Sequence, residues 1–485
     1  MIKRFLIVLI CTIPLKLLAQ EKWDLRTCVE YAMKNNISVK EADVQARIAA
    51  LVAKQAKLYQ YPNINFSSGT GLRLGRSIDP TTNQFSTTQF LYQNFGLNGG
   101  VEIFNWGRIK SNISASLFSA QASVADAEKA ANDIALNVAT YYLQVLASKE
   151  QISIDTVQIG QTRAQYNNTK LQVEAGSLPE LNLAELEAQL ATDSTNLITA
   201  QSNYDQNLLS LKGLLSLDAA TPFEIETPPI DQIPLENISE LEPEVVFQSA
   251  IKFFPQQKAS ALRIKAAGYN MKLNKAYLYP DISFGYNLAT NFSNTFQTIS
   301  GYKFLGYQDP SPFNPVVTVG GTQYFIQEPN IQVTQSKRSF AGLWDGWSRQ
   351  LNGNFGQSFG FQINIPIFNN GTYRINYERS KLDLSNYQLQ KTQADLQLKQ
   401  DIYSAYINAR SSMQKYFVGI KSVYSAQQAY DFAAKRYAVG LLSTIDLLTN
   451  QNKLLTAKLQ QLANQLDYVF RIKLLEFYKG QGLKL

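Results

Sequence analysis

The chain has 485 residues, 17% of them charged, with a formal charge of +7, two cysteines and no histidine. Cys28 is the one cysteine beyond the first 20 residues, so Cys/His zinc sites, disulfide frameworks and Ser-His or Cys-His catalysis are excluded within one chain. The charge is too weak and too scattered for a nucleic-acid binder. Nucleophile motifs, phosphate loops and metal spacings are also missing, so the chain does not read as an enzyme and no cofactor is expected.

At the N-terminus, Lys3 and Arg4 precede an apolar run from Phe5 to Ile13, and Leu17-Leu18-Ala19 offers a cleavage site before Gln20 or Glu21. Residues 1–20 therefore read as a secretory signal, a retained N-terminal anchor being the alternative. Pro14 and Lys16 end the run too soon for a spanning helix, and Ile10 before Cys11 does not fit a lipoprotein site. Losing Lys3, Arg4 and Lys16 with the signal leaves +4 of the +7. No other stretch approaches the ~20 consecutive apolar residues of a membrane helix.

A helix is expected over about 24–58, then a strand over 62–74 that begins by alternating Ile64 and Phe66 with Asn63 and Asn65. A Gly/Ser/Thr/Asn/Gln-rich loop fills 68–94. The strand over 95–104 puts Phe95, Leu97, Val101 and Ile103 on one face and Gly96, Asn98, Gly100 and Glu102 on the other. From Gly107 to about Val173 there is no proline, and a return helix runs from about Pro179 to Lys212. Residues 218–243, with Pro222, Pro228, Pro229, Pro234 and Pro243, must be irregular, a linker belt between two halves. The second half repeats the order: a helix over 243–277, a strand from 280 to 288, a loop over 289–354, a strand over 358–367, a proline-free run from Gly371 to about Val439, and a helix from Ser443 to Tyr478. In the last strand Phe359, Phe361, Ile363, Ile365 and Ile367 oppose Ser358, Gly360, Gln362 and Asn364.

The halves are copies. Tyr59-Gln-Tyr-Pro62-Asn-Ile64 matches Tyr277-Leu-Tyr-Pro280-Asp-Ile282 at an offset of 218; Ile103-Phe-Asn-Trp-Gly107 matches Ile367-Phe-Asn-Asn-Gly371, and Gly176 matches Gly440, both at 264. The domains are then a signal (1–20), a first repeat (21–217; β-hairpin 62–104, helical hairpin 107–212), the linker (218–243) and a second repeat (244–485; β-hairpin 280–368, helical hairpin 371–478). Each proline-free run would make a helix about 100 Å long at ~1.5 Å per residue. Rows seven apart, Ile375-Leu382-Leu389-Leu396-Tyr403, Leu183-Leu190-Leu197-Tyr204-Leu211 and Leu448-Leu455-Leu462-Val469, point to coiled-coil packing.

Period two over about ten residues is the signature of a transmembrane β-strand, although a half-buried soluble sheet shows it too. Four strands cannot close a barrel, and an open edge is not viable in lipid, so several chains must pool theirs. Two chains give a barrel filled by side chains; three give twelve strands and room for a lumen.

With these duplicated strand pairs, long helical hairpins and glycine turns, the chain resembles the outer-membrane efflux protein family typified by TolC. The resemblance covers nearly all of the chain beyond the signal. Its most specific motif is Val439-Gly440-Leu441 with Asp446 six after the glycine; the first copy keeps Gly176, Leu178 and Leu183 but has Asn182 at the acidic position. The resemblance implies a fold that is mainly α with a membrane β-barrel: a homotrimer with a 12-stranded barrel and an α-helical periplasmic tunnel. It implies a location in the outer membrane of a Gram-negative bacterium, in contact with its lipid. It implies a passive channel of a tripartite efflux or type I secretion system, whose partners are a periplasmic adaptor and an inner-membrane RND or ABC transporter. The turns at Gly176, Leu178, Gly440 and Leu441 would form the adaptor-docking tip. Asn182, Tyr437, Asp446 and Thr449 fall at the family's periplasmic gate: Asp446 at an aspartate-ring position, Thr449 where a second ring is missing, and Tyr437 with Asn182 as a linked pair. Leu442 and Leu181 replace another polar link. Asp446 reads equally as a carboxylate at a helix N-terminus. The competing class is a secreted coiled-coil structural or adhesive protein without a barrel.

Overall fold

The computed structural model describes residues 22–78, 85–226, 235–294, 299–310, 315–335, 344 and 346–481. The expected signal and Pro228, Pro229 and Pro234 of the linker lie outside these residues. The chain divides into two compact units. One comprises the residues up to Lys54, Asn112–Met271 and those from Glu378 onward; the other comprises Gln55–Ser111 and Lys272–Tyr377.

Duplication is written into the helix boundaries. Helices α1 (Leu25–Asn35) and α2 (Ile37–Leu58) have 11 and 22 residues, as do α5 (Pro243–Phe253) and α6 (Pro255–Ala276), 218 positions later. Helices α3 (Arg108–Glu174) and α4 (Glu180–Leu215) have 67 and 36 residues, as do α8 (Thr372–Ala438) and α9 (Thr444–Lys479), 264 positions later. The seventh helix, α7 (Trp347–Gly353), has no counterpart in the first copy among the described residues. Two expected single helices, over 24–58 and 243–277, are each broken once. Asn36 and Phe254 swing to ψ 137° and 127°, and Pro255 then occupies the first turn of α6, where a missing N–H costs nothing.

The helical unit has two apolar cores, which correspond across the repeats. Cys28, Val29 and Ala32 pack with Val138 and Leu211; their counterparts Val246, Phe247 and Ala250 pack with Ile402 and Leu475. Cys28 thus stands where the other copy has valine, and burial pushes its thiol up to about 12. The linker is tied into the first core by Phe223 and Ile225, and Trp23 bridges to Ile225. Across this bridge the Tyr142 hydroxyl donates to the Glu226 carbonyl at 2.7 Å.

The other unit has eight strands among the described residues: β1 (Asn63–Ile78), β2 (Phe85–Phe104), β3 (Asp281–Ser293), β4 (Ile299–Gln308), β5 (Val316–Val319), β6 (Thr322–Phe325), β7 (Glu328–Gln335) and β8 (Gly356–Asn364). Four form one antiparallel sheet in the order β1-β2-β3-β8. The loop expected over 68–94 is mostly strand: β1 and β2 run to Ile78 and from Phe85, because glycine and polar residues on one face hide the alternation on the other. Nor is 289–354 a plain loop. β4 pairs with β7 and β5 with β6, making two-stranded ribbons, and α7 follows. Strand β8 stops at Asn364, short of Ile365 and Ile367, and Pro366 then lacks the N–H a ladder needs. In β2 a bulge after Glu102 puts Phe104, not Ile103, opposite Ile282.

Candidate functional site

Paired residues of an antiparallel sheet share a face. One face carries Phe66, Leu97 and Leu288 in one row and Val101, Phe284 and Phe361 in another; Ile282 and Ile363 form a third. On the opposite face the rows are Asn65-Asn98-Asn287-Ser358 and Ser67-Gly96-Ala289-Gly356. Among the described residues nothing covers the apolar face: Phe66 is 68% and Phe361 73% exposed. A soluble sheet buries that face, whereas a membrane strand turns it to lipid. Close approach on this apolar face is tight at Gly99, which pairs with Ile64 and Tyr286: a side chain there would meet the Asn63 carbonyl oxygen at 2.0 Å.

Both outer strands, β1 and β8, lack a neighbour along their outer edge among the described strands. In hydrocarbon each unpaired backbone group costs several kcal/mol, so these edges require strands from elsewhere. The helices that lead into β1 and out of β8 show the same incompleteness. Ile37, Val44, Leu51 and Leu58 form an exposed row seven apart on α2. The row on α8 that points to coiled-coil packing, Ile375-Leu382-Leu389-Leu396-Tyr403, is exposed within the single chain, and it continues at Phe417 and Tyr424. Leu382 is 71% exposed. On α4 the expected row is half-buried except at Leu211, and the adjacent row Leu186-Asp193-Ala200 carries the contact. Fully covering one such aliphatic side chain stabilises by about 1.5–3 kcal/mol, so rows of this length are strong association surfaces.

The two helical hairpins turn alike. Gly176 and Gly440 have φ of +73° and +74°, the left-handed region where a side chain strains the backbone. The Gly176 N–H donates to Val173 and the Ser177 N–H to Gln172; likewise Gly440 donates to Tyr437 and Leu441 to Arg436. This is the two-bond glycine stop that satisfies a helix's last carbonyls. Leu441 and Leu181 are exposed, while Leu178 and Leu442 are half-buried.

The residues assigned to the gate fall as follows. Asp446 sits in the first turn of α9, its backbone N–H donating to the Ser443 hydroxyl at 3.1 Å and its carboxylate accepting from that hydroxyl at 2.7 Å. Within the chain Ser443 therefore caps α9 and Asp446 is its first-turn partner, with an exposed side chain. Thr449, also exposed, bonds the Ile445 carbonyl one turn back. The Tyr437 hydroxyl lies 2.9 Å from the Thr169 hydroxyl and 3.4 Å from that of Thr444, so its partners inside the chain are these rather than Asn182. Asn182 is half-buried, and its backbone N–H bonds the Pro179 carbonyl.

Below the turns lies a buried polar layer that sequence reasoning missed. The Thr162 hydroxyl donates to Asp193 at 2.6 Å and accepts from the Gln451 amide at 2.9 Å, joining α3, α4 and α9. The Gln165 amide donates to the Tyr430 hydroxyl at 2.9 Å, joining α3 to α8. Asp155 is also buried, held by Gln151 at 2.9 Å; burial, and secondarily the charge of Asp193, raises its pKa. Asp193 lies in the row Leu186-Asp193-Ala200, and a polar residue interrupting an apolar heptad row is the signal that would have found the layer. Among the described residues no cluster could hold a metal ion, and no helix is long and apolar enough to cross a membrane.

Comparison with known proteins agrees with this geometry. The chain matches the outer membrane efflux protein family over residues 29–216 and 331–476. It is 24% identical over 282 residues to the pyoverdine export outer membrane protein OpmQ of Pseudomonas putida, a match that takes in 56% of this chain and 57% of that protein's length. Its fold is similar to the Campylobacter jejuni CmeC outer membrane channel (TM-score 0.73, 18% identity, 95% of this chain and 86% of that one). It is likewise similar to the Vibrio cholerae outer membrane protein VceC (TM-score 0.70, 15% identity, 95% and 97%). These relatives are outer-membrane channels and export proteins, not enzymes, and the expected fold of long helices joined to membrane strands is theirs. The match takes in most of both repeats, and the chain belongs to the outer membrane efflux protein family of the Gram-negative outer membrane.

Proposed function

We propose that three copies of the chain close into a 12-stranded barrel and an α-helical tunnel, forming a passive export duct. One observation carries this reading: the sheet has one uncovered apolar face and two open edges. The strands alternate in direction, so β8 of one copy meets β1 of the next antiparallel, and an up-and-down barrel closes without a break. The exposed rows on α8 and α2 support the same closure in the helices. Eight strands would leave a lumen full of side chains, so three copies fit conduction better than two. The likeness to an export protein supports outward traffic.

The duct has no energy source of its own, so it works with an inner-membrane transporter of RND or ABC type through a periplasmic adaptor. In this reading Gly176, Leu178, Gly440 and Leu441 form the docking tip: glycine exposes backbone for close approach, and leucines stand beside it. Asn182, Tyr437, Asp446 and Thr449 line the gate, with Asp446 adding the charge.

The test is light scattering of the detergent-purified protein, followed by single-channel conductance in a planar bilayer. A trimer with discrete pores is the expected result; a folded monomer without pores would return the chain to the structural coiled-coil class. Asp446→Asn keeps the hydrogen bond to Ser443 and removes the charge. Reduced cation selectivity is expected, and unchanged selectivity would take Asp446 out of the gate.

A further inference from the structure

The strands of the sheet end at different heights. The row Ser67-Gly96-Ala289-Gly356 is the last that contains β8. Beyond it β1 continues to Ile78, and β2 covers it throughout. In the place β8 vacates, the α7 segment holds the β3 edge. The Gln350 side-chain amide accepts from the Ser293 N–H at 3.1 Å and donates to the Ser293 carbonyl at 3.0 Å, imitating a strand neighbour. The Asn354 amide donates to the Asn291 carbonyl at 2.8 Å, and the Thr290 hydroxyl to the Leu351 carbonyl at 2.6 Å. The segment that follows the β4–β7 ribbon in sequence is therefore anchored at the β8 side of the sheet, and β8 is the strand that meets the next copy's β1.

Two apolar surfaces at this outer end have no cover among the described residues. On the ribbon, Tyr302 pairs with Val333 and Phe304 with Ile331, so the four side chains share one face, and all four are exposed. An isolated two-stranded ribbon is marginal in water, and this face is its natural packing surface. The second surface is on the β1–β2 hairpin. Strand β1 has 16 residues and β8 has 9, so β8 of a neighbour can pair with at most nine of them. A membrane strand needs about 9–11 residues. The outer part of the hairpin, with Leu72, Leu74 and Phe85 exposed on the face continuous with Phe66, therefore stands clear of both the lipid and a neighbour's β8. The charges are complementary. Arg76 lies over the Phe85 ring at 5.4 Å, on the same face as Leu72 and Leu74. The ribbon end carries Asp309 and Glu328, whose recorded partners are the neutral amides of Gln327 and Gln308.

We propose that the β4–β7 ribbon of one copy packs its Tyr302-Phe304-Ile331-Val333 face on the outer β1–β2 hairpin of the next copy, an intersubunit clasp at the external mouth. The inference rests on the trimeric reading above. The clasp covers both apolar surfaces, brings acid to base, and uses the insertion that the first repeat lacks. It also follows the order of the sheet, because the neighbour reached from the β8 side is the one presenting β1.

The test is cross-linking between differently marked chains. Leu74→Cys is placed in one epitope-tagged copy and Phe304→Cys in a second copy with another tag. Both are co-expressed at full length, purified from the outer membrane and treated with a short bis-maleimide. Native Cys28 is fully buried and does not compete. A dimer carrying both tags, formed only when both cysteines are present, is expected. Leu72→Cys with Ile331→Cys repeats the test at exposed positions if the first pair fails to accumulate. Light scattering on the same sample separates the two readings. A trimer without the mixed dimer from either pair overturns the clasp alone; a monomer overturns the trimer and the clasp with it. In a separate variant carrying both Leu74→Cys and Phe304→Cys in one chain, a cross-link confined to that chain, with no linked dimer, would assign the ribbon to its own hairpin and likewise overturn the clasp.

Discussion

Gly440→Ala and Gly419→Ala are the same chemical change with opposite expected signs. At Gly440 φ is +74°, and an added Cβ would meet nothing within 4 Å. The cost is therefore purely conformational, about 1–2 kcal/mol for an L-residue held in the left-handed region. Gly419 lies inside α8, where an added Cβ would sit 3.5 Å from Gln461 and Asn464, an ordinary contact. There alanine should gain up to about 1 kcal/mol, since glycine is the poorer helix former by that amount. Amide hydrogen exchange of the detergent-solubilised oligomer reads both locally. Gly440→Ala should speed exchange of the Gly440 and Leu441 amides about five- to thirty-fold, since ~1.4 kcal/mol is tenfold in an equilibrium constant. Gly419→Ala should slow or leave unchanged the amides of its own turn. Gly176, with φ +73° and an equally open surround, should copy Gly440. The reasoning fails if Gly440→Ala leaves exchange unaltered, because the turn would then not need its left-handed residue. It fails equally if Gly419→Ala is as damaging as Gly440→Ala, because packing rather than backbone strain would then govern both sites.

Three further outcomes follow from named side chains. Asp155 has a raised pKa, from burial first and Asp193 second, so its contribution to stability is present below the ordinary carboxylate range and is lost as pH rises through the raised value. Thermal stability should therefore increase on mild acidification from neutral pH, and Asp155→Asn should raise stability at neutral pH and flatten that slope; a steeper slope in the variant would contradict the assignment. Ser443→Ala removes the cap that receives the Asp446 N–H and should destabilise the start of α9 by about 1 kcal/mol, read as faster exchange in its first turn. Cys28→Val copies Val246 of the other repeat and should lie within about 1.5 kcal/mol of the native chain, whereas Cys28→Ser buries a hydroxyl and should cost about 1–3 kcal/mol in urea unfolding.

The sequence displays whatever is governed by local periodicity or by duplication. The offsets of 218 and 264 recur in the helix boundaries because a long helix tolerates no insertion without rotating everything beyond it. The glycine turns were legible because only one residue type adopts that backbone cheaply. Strand extent was less so. Past Ser67 the polar face of β1 is Gly69, Gly71 and Arg73, and a run of small residues reads as loop although the ladder continues to Ile78. The bulge at Ile103 shifts one residue without a trace in composition.

The heptad rows show how far spacing alone reaches: it says that a row packs, but not against what. The Leu382-Leu389-Leu396 row points to coiled-coil packing and is exposed within the single chain, while Leu186, Asp193 and Ala200 do the packing within the chain. An apolar row and an apolar strand face obey the same physics: each is incomplete until something covers it. In this chain uncovered rows lie on β1 and β8 and on the helices that precede and follow them in sequence. Open edges and uncovered rows are what a unit of a closed ring requires, because each margin must meet the opposite margin of a neighbour. Heat-modifiable migration of the extracted oligomer tests the two helical rows: Leu389→Asp on α8 and Val44→Asp on α2, each far from the sheet in sequence, should both lower the dissociation temperature, and a row that tolerates aspartate is not part of the ring.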